Sequence, residues 1–244
     1  MNISKINNNS LIGKVIRSPL KLIPKNAVLP IMQGKLKGKK WIKGSSINGC
    51  WFGSYEYDKQ LLFDKYLKEG MTVYDIGSNV GFYTLLSSEL VGNGGKVIAF
   101  EPFPQNLVYL KRHIELNNLK NVTVVEKAVS EKKGEMFFMS GKNNSEGHLD
   151  RTGDIQVLTI SLDDFVDARN PSPDLIKMDI EGAEFDALLG AKNILSKRKP
   201  IIFLATHGQD IHKNCISYLL KFNYKLKSVS GKPIEETDEI IAEP

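Results

Sequence analysis

The sequence predicts an α/β fold with a doubly wound, mostly parallel sheet, helices on both faces, and a basic N-terminal arm. Three observations carry that prediction. Short apolar runs at 72–76, 96–100, 122–129, 174–178 and 201–205 alternate with segments of helical periodicity, the pattern of successive βαβ units. The run at 72–76 turns directly into a helix through Gly77, Asn79 and Gly81. The runs also end in polar residues (Asp75, Glu101, Asp179 and His207), and an open α/β sheet binds its ligand outside the carboxyl ends of its strands.

The N-terminal arm is identified by charge. Residues 1–55 hold ten Lys and Arg and no acid; Glu56 is the first. The 244-residue chain carries +5, so the rest, with 23 basic and 28 acidic residues, carries −5. We place the arm at 1–50 and the main domain at 51–244. Such an arm steers a protein toward an anionic partner (nucleic acid, membrane surface or acidic glycan) or is simply a solvated leader. Residues 1–30, with Pro19, Pro24 and Pro30, hold at best a short amphipathic helix at 11–16. Residues 31–50 interleave Gly34, Gly38, Gly44 and Gly49 with lysines, which reads as turns or a small hairpin. Two cysteines, Cys50 and Cys215, make neither a disulfide framework nor a metal cluster and suit a reducing compartment. No stretch approaches the roughly 20 apolar residues of a membrane span. Lys14, Arg17 and Lys21 break every apolar run of a signal-peptide pattern. The expectation is a soluble, cytoplasmic protein.

The aromatic cluster Trp51-Phe52-Gly53-Ser54-Tyr55-Glu56-Tyr57 precedes a helix running through Lys68. Aromatics at that density more often pack than recognise. They nevertheless sit just upstream of the glycine turn, where Glu56 and Tyr57 are candidates for meeting a substrate. In the turn itself, Gly77 and Gly81 allow positive φ and a close ligand approach. The helix beginning at Phe82 directs unpaired N–H groups and a positive dipole end at the same place. The spacing Asp75-x-Gly77-x-Asn79-x-Gly81 is not the G-x-G-x-x-G of a pyrophosphate site. An acid at the strand end suits a ligand bearing an ammonium group. Strand Lys96–Phe100 ends in Glu101-Pro102, and Glu101 lies twenty residues past Gly81, where a doubly wound fold holds ribose hydroxyls.

Together these residues resemble the motif set of class I S-adenosylmethionine-dependent methyltransferases. The resemblance implies a Rossmann-like sheet of seven strands and S-adenosyl-L-methionine as cofactor. It implies that Asp75, Gly77, Ser78, Asn79, Gly81 and Phe82 surround the methionine portion, that Glu101 and Pro102 meet the ribose, and that Ala128 lies beside the adenine. The competing reading makes Asp75 a helix cap and Glu101 a solvated loop acid. It explains each residue but not their separation.

Residues 105–118 form a helix with Leu107, Leu110, Ile114 and Leu116 inward, and 122–129 is the third strand. An added strand follows at Gly134–Met139. The glycine- and asparagine-rich stretch 140–154, with His148 and Arg151, suits a mobile substrate loop. Strand Ile155–Ile160 leads into a short helix at Leu162. After the strand at 174–178, a helix continues to residue 196, with Lys197 to Lys199 complementing its C-terminal end. The last helix is at 210–221, with closing strands at 224–229 and 239–242.

Asp179-Ile180-Glu181-Gly182-Ala183-Glu184, with Thr206-His207-Gly208 after the next strand, narrows the resemblance to FkbM-like methyltransferases. Gly38-Lys39-Lys40-Trp41 and the 50–56 cluster support it. That resemblance implies O-methylation of a hydroxyl on a sugar, glycan or small-molecule product. Alignment for in-line transfer supplies up to ~7–11 kcal/mol, and a positioned base roughly 10²–10⁴-fold. Asp179 and His207 are the candidate bases, Asp179 also bordering the cofactor; an ordinary histidine pKa of ~6.5 suits the task. Glu181 is a candidate substrate contact, although acids in a first helical turn also serve the dipole. Asp179, Glu181 and His207 have metal-ligand chemistry as well, but no fourth protein ligand is visible and the sequence assigns no metal. Rival readings are a nucleic-acid methyltransferase using the basic arm, a non-catalytic S-adenosylmethionine-binding module, and, more distantly, a dehydrogenase. Asp179-Ile-Glu-Gly stands where an amino-methylating enzyme usually carries Asn/Asp-Pro-Pro-Tyr/Phe.

Overall fold

A computed structural model describes residues 22–139, 148–149 and 155–244. The expected helix at 11–16 and most of the 140–154 loop lie outside those residues. In chain order come β1 (Val28–Pro30), β2 (Lys40–Ile42), α1 (Asn48–Phe52) and α2 (Tyr57–Tyr66). The nucleotide-binding half follows as β3 (Thr72–Ile76), α3 (Phe82–Val91), β4 (Lys96–Phe100), α4 (Pro104–Leu116) and β5 (Val122–Val125). Next are β6 (Ala128–Val129), β7 (Gly134–Met139), β8 (His148–Leu149), β9 (Ile155–Ile160) and α5 (Leu162–Asp167). The chain closes with β10 (Leu175–Met178), α6 (Glu184–Leu189), β11 (Ile201–Ala205), α7 (Gln209–Lys221), β12 (Lys225–Ser228) and β13 (Glu239–Glu243).

Seven strands form the central sheet in the order β12-β13-β11-β10-β3-β4-β5. β11, β10, β3, β4 and β5 run parallel, and β13 is antiparallel to both β11 and β12. This is the expected doubly wound, Rossmann-like sheet. From β3 the chain winds one way to β4 and β5, then returns to lay β10 on the other side of β3. The switch point therefore falls between β3 and β10, where an open α/β sheet leaves a crevice at its carboxyl edge.

Residues at all four positions of β10 are buried, as are Val73 through Ile76 in β3, because helices cover both faces of a parallel sheet. One face packs Tyr74, Ile76, Ile176 and Met178 against residues of α5, α6 and α7. The other packs Val73, Val97 and Leu175 against α3, Phe63 of α2 and residues from the N-terminal segment. Each such side chain contributes about 1.5–3 kcal/mol through burial.

That segment revises the expected arm. The hairpin anticipated at 31–50 exists as β1 paired with β2, Leu29 opposite Trp41, but it is no separate appendage. Ile31, Leu36, Trp41 and Cys50 are buried in the same cluster as Val73 and Leu85. Asn117 accepts from Lys40 N–H at 2.7 Å and donates to Lys40 C=O at 2.9 Å. Trp51 Nε1 donates to Pro30 C=O at 3.1 Å. Residue 50 is therefore not a packing boundary within the described residues.

Two further elements differ from expectation. The run 122–129 does not remain one strand: Lys127 N–H turns back onto Val125 C=O. Ala128 and Val129 then pair with β9 in a second sheet of order β6-β9-β7-β8. The expected helix to residue 196 stops at Leu189. Gly190 lies so close to the chain at 130 that a Cβ there would sit 2.2 Å from Ser130 O. The Asp163 carboxylate then accepts from Asn193 and Ile194 N–H, starting a π-helical turn at Ile194–Arg198.

Candidate active site

A cavity opens at the carboxyl edge over the switch point. Its walls include Gly77, Ser78, Asn79, Phe82, Glu101, Pro102, Ala128, Lys177, Asp179 and Glu181, with Ser46, Ile47, Cys50 and Tyr55 in front. Thus the sequence-assigned Gly77, Ser78, Asn79, Phe82, Glu101, Pro102, Ala128, Asp179 and Glu181 converge on one space.

The glycine turn has the geometry its composition demands. Gly77 is at φ 74°, Asn79 at 50° and Gly81 at 97°. A Cβ on Gly77 would fall 2.0 Å from Asp179 O, so the turn rests directly on the end of β10. A Cβ on Gly81 would meet Leu110 of α4 at 2.7 Å. Ser78 Oγ donates to Asp75 C=O at 2.7 Å, and Gly77 and Ser78 N–H both donate to Phe100 C=O. These bonds tie the turn to β3 and β4.

Glu101 is buried at the cavity wall. Its Oε2 accepts from Asn79 N–H at 2.7 Å, and its Oε1 from Phe103 N–H at 2.9 Å and Asn106 Nδ2 at 3.3 Å. Burial nevertheless pushes its pKa up to about 7, because desolvation outweighs the bonds that favour the carboxylate.

Asp75 corrects an expectation. It is wholly buried and does not line the cavity. Its Oδ2 accepts from Thr84 Oγ1 at 2.6 Å, and its Oδ1 lies 3.5 Å from Lys177 Nζ. The carboxylate supports the turn from behind instead of facing a ligand's ammonium group. Lys177, which sequence reading passed over, does line the cavity. It donates to Gly77 C=O at 3.0 Å and stands beside Asp75 because the two residues are register partners in β10 and β3. A lone charge in the apolar run Leu-Ile-Lys-Met is the signal that could have found it.

Glu56 and Tyr57 are not among the cavity-lining residues. Glu56 accepts from Tyr83 Oη at 2.7 Å and pairs with Lys59 at 3.0 Å, while Tyr57 is exposed. Their neighbour Tyr55 takes the wall position, held edge-on to Phe82.

His207, after β11, stands beside the acids that follow β10. Its Nδ1 donates to Glu184 Oε1 at 2.8 Å. Its Nε2 is 3.5 Å from Glu181 Oε2 and 3.7 Å from Asp179 Oδ1. The Glu184 hydrogen bond, with all three carboxylates nearby, raises its pKa to about 9. His207 is therefore protonated near neutrality, and the ordinary value assumed from sequence does not apply. Glu184, expected to serve the helix dipole, also accepts from Ile180 and Gly182 N–H at 3.3 and 3.0 Å.

A doubly wound sheet with a glycine turn at its switch point and a buried carboxylate after β4 is the arrangement of the Rossmann-like methyltransferase class. The pattern of the methyltransferase FkbM domain matches residues 75–226, and the chain belongs to that family. A curated relative, the hexuronic acid methyltransferase AglP of Haloferax volcanii, is 27% identical over 146 residues, 59% of each chain. The solved methyltransferase FkbM from Methylobacillus flagellatus KT superposes with a TM-score of 0.52 at 17% identity, covering 81% of this chain and 53% of its own. Precorrin-6y C5,15-methyltransferase from Geobacter metallireducens GS-15 gives 0.50 at 16% identity, covering 78% and 89%. The chain thus spans little more than half the length of AglP and of the FkbM structure. S-adenosylmethionine is the cofactor, and the cavity has groups that suit it: a turn with no room for a Cβ at Gly77, the buried Glu101 carboxylate, and small Ala128 in the wall. Among the described residues no helix is long and apolar enough to cross a membrane.

Proposed function

We propose that the chain transfers a methyl group to a hydroxyl of a sugar-type acceptor, with a uronic acid unit of a glycan as the favoured class. The observation that carries this reading is the group Asp179, Glu181 and His207 at the strand edge, with the Asp179 backbone directly against Gly77. A hexuronic acid methyltransferase among the relatives supports the acceptor class.

S-adenosylmethionine supplies an electrophilic methyl on a sulfonium. The chain's own residues bind, orient and handle the proton. The Gly77–Gly81 turn would take the amino-acid end, Glu101 the ribose hydroxyls, and Pro102 and Ala128 the adenine side. Lys177 fixes the turn from below through Gly77 C=O. Asp179 accepts the acceptor hydroxyl's proton as that oxygen attacks, since an alcohol is too weak an acid to ionise beforehand. His207, already protonated, holds Asp179 and Glu181 in place. Alignment against this rigid edge is the larger contribution, up to ~7–11 kcal/mol in ideal cases; proton acceptance adds roughly 10²–10⁴-fold.

The test is transfer of labelled methyl from S-adenosylmethionine into fractionated extract and into uronic acid glycosides, with mass spectrometry of the product. The expected product is an O-methyl ether in the carbohydrate fraction. Label confined to nucleic acid or protein would overturn the acceptor assignment, and donor binding without transfer to any fraction would overturn the enzymatic reading.

A further inference from the structure

The carboxyl ends of β10 and β11 lie side by side, with Met178 opposite Leu204, so the residues following each strand meet. They bring together three groups of metal-ligating type: Asp179, Glu181 and His207 each offer an atom, and these atoms all lie within 4.8 Å of one another. His207 Nε2 stands 3.5 Å from Glu181 Oε2 and 3.7 Å from Asp179 Oδ1. A good charge-assisted hydrogen bond is shorter, roughly 2.7–2.9 Å. Two ligands sharing one cation, with bonds of roughly 2.0–2.3 Å and octahedral to tetrahedral angles, stand about 3–3.7 Å apart.

A second observation comes from the far side of the ring. Glu184 is fully buried, and its Oε1 accepts from His207 Nδ1. A carboxylate on one ring nitrogen fixes the imidazole's orientation and turns the other nitrogen toward a metal. The same oxygen accepts from Ile180 and Gly182 N–H, fixing the turn that holds Glu181 at φ 53°. One buried carboxylate therefore orients two of the three groups. Its other oxygen, Oε2, is buried and makes no hydrogen bond among the described residues.

We propose that Asp179, Glu181 and His207 bind one divalent first-row cation, with Glu184 as the positioning residue. One imidazole, which gives up its Nε2 proton to solvent as the cation binds, and two carboxylates suit Mn²⁺ or Zn²⁺. Three protein ligands leave coordination positions open, and Asp179 and Glu181 also line the cavity. On the sugar-acceptor reading above, a cation held by these residues would supply Lewis acidity at the hydroxyl to be methylated. The cation site itself does not depend on that reading.

The experiment is binding of the metal alone to the full chain after chelator dialysis, with neither donor nor acceptor present. Mn²⁺ is followed by the loss of its free-ion paramagnetic resonance signal, and Zn²⁺ by calorimetry. One ion per chain is expected. Asp179→Asn, Glu181→Gln and His207→Ala should each weaken binding at least ~10-fold, and Glu184→Gln about 10–100-fold through the ring and turn it holds. Circular dichroism checks that each variant is folded; the part-exposed Asp179 tolerates substitution, and His207→Gln, which keeps a donor for the buried Glu184, replaces His207→Ala if the latter does not fold. If neither ion binds while S-adenosylmethionine still does, the cluster is an ion network around the imidazolium and the proposal is overturned. Binding that survives all three ligand substitutions overturns it equally. A bound ion with no methyl transfer to any acceptor supports the site while removing the function proposed above.

Discussion

At Glu101, two backbone N–H groups and one side-chain amide already point at a single carboxylate. Glu101→Gln must set its NH₂ against either Asn79 N–H or Phe103 N–H, leaving a buried donor unpaired at about 1–3 kcal/mol. Calorimetry should show S-adenosylmethionine affinity reduced roughly 10–100-fold. Because burial lifts the Glu101 pKa to about 7, the ionised form, which on the proposed reading would accept the donor's hydroxyls, becomes dominant only above that pH. Donor affinity should rise between about pH 6 and 8 and then level off, and the Gln variant should lose that rise. Asp75→Asn separates support from contact. It preserves the bond from Thr84 but removes the nearer of the two carboxylates beside Lys177, leaving only Asp179 Oδ2 at 3.9 Å, a loss below the about 3–5 kcal/mol of a fully broken buried pair. Denaturant unfolding should register that loss; unchanged stability with abolished donor binding would restore Asp75 as a direct ligand contact. At His207 the hydrogen bond to Glu184 leads the upward shift to about 9. A raised folded pKa gives stability that is complete below about pH 6.5 and lost as pH rises through about 9. NMR titration should place the ring near that value, and Glu184→Gln should bring it down.

At the scale of elements, the N-terminal hairpin depends on one histidine of α4. His113 Nδ1–H donates to Val80 C=O at 2.8 Å, and its Nε2 accepts from Ile42 N–H at 3.0 Å. Its ring stacks on Trp41 at 3.9 Å. The hairpin, α4 and the glycine turn are thereby joined at a buried, neutral imidazole. Burial lowers its pKa to about 4. A depressed folded pKa means stability is intact above about pH 6.5 and drains away as pH falls through about 4, in all on the order of 3 kcal/mol. Denaturant melts across that window should show the loss, and His113→Phe, which keeps the stack, should be less stable at neutrality but flatter against acid. The sequence was readable where an element is fixed by its own residues. β3, β4, β10 and β11 are apolar enough to be buried on both faces, and Gly77 and Gly81 announce positive φ. It was unreadable where a partner decides. Nothing in Val122 through Val129 marks the point at which pairing passes from β4 to β9. The early end of α6 comes from a close approach to residue 130 and from the Asp163 cap.

At the scale of the molecule, the same division explains the candidate site. The strand-end residues were legible because an open sheet gathers its carboxyl edges at one place. Their orientations were not: Asp75 shares the pleat of Val73 and points at α3, a matter of alternation and register that makes Lys177 its neighbour. Glu184 was hidden for another reason, since an acid in a first helical turn has an ordinary use before it has a special one. Charge was legible only in part. The acid-free stretch is real, but from Ile31 to Cys50 it supplies core residues and the front of the cavity. Shortening the chain to residues 51–244 should therefore expose the face of α3 and α4 and yield a protein that aggregates or unfolds, a result that light scattering and circular dichroism would show.

The absence of any side chain at Gly77 has a mechanical outcome. With its α-carbon seated against the Asp179 carbonyl, the loop that would grip the donor and the strand end that would present the acceptor form a single stiff joint. Displacing one drags the other, so the distance between the two reacting partners is set by the scaffold before either arrives. Gly77→Ala would wedge that joint apart, and its signature would be a collapse of kcat far exceeding any loss of donor affinity.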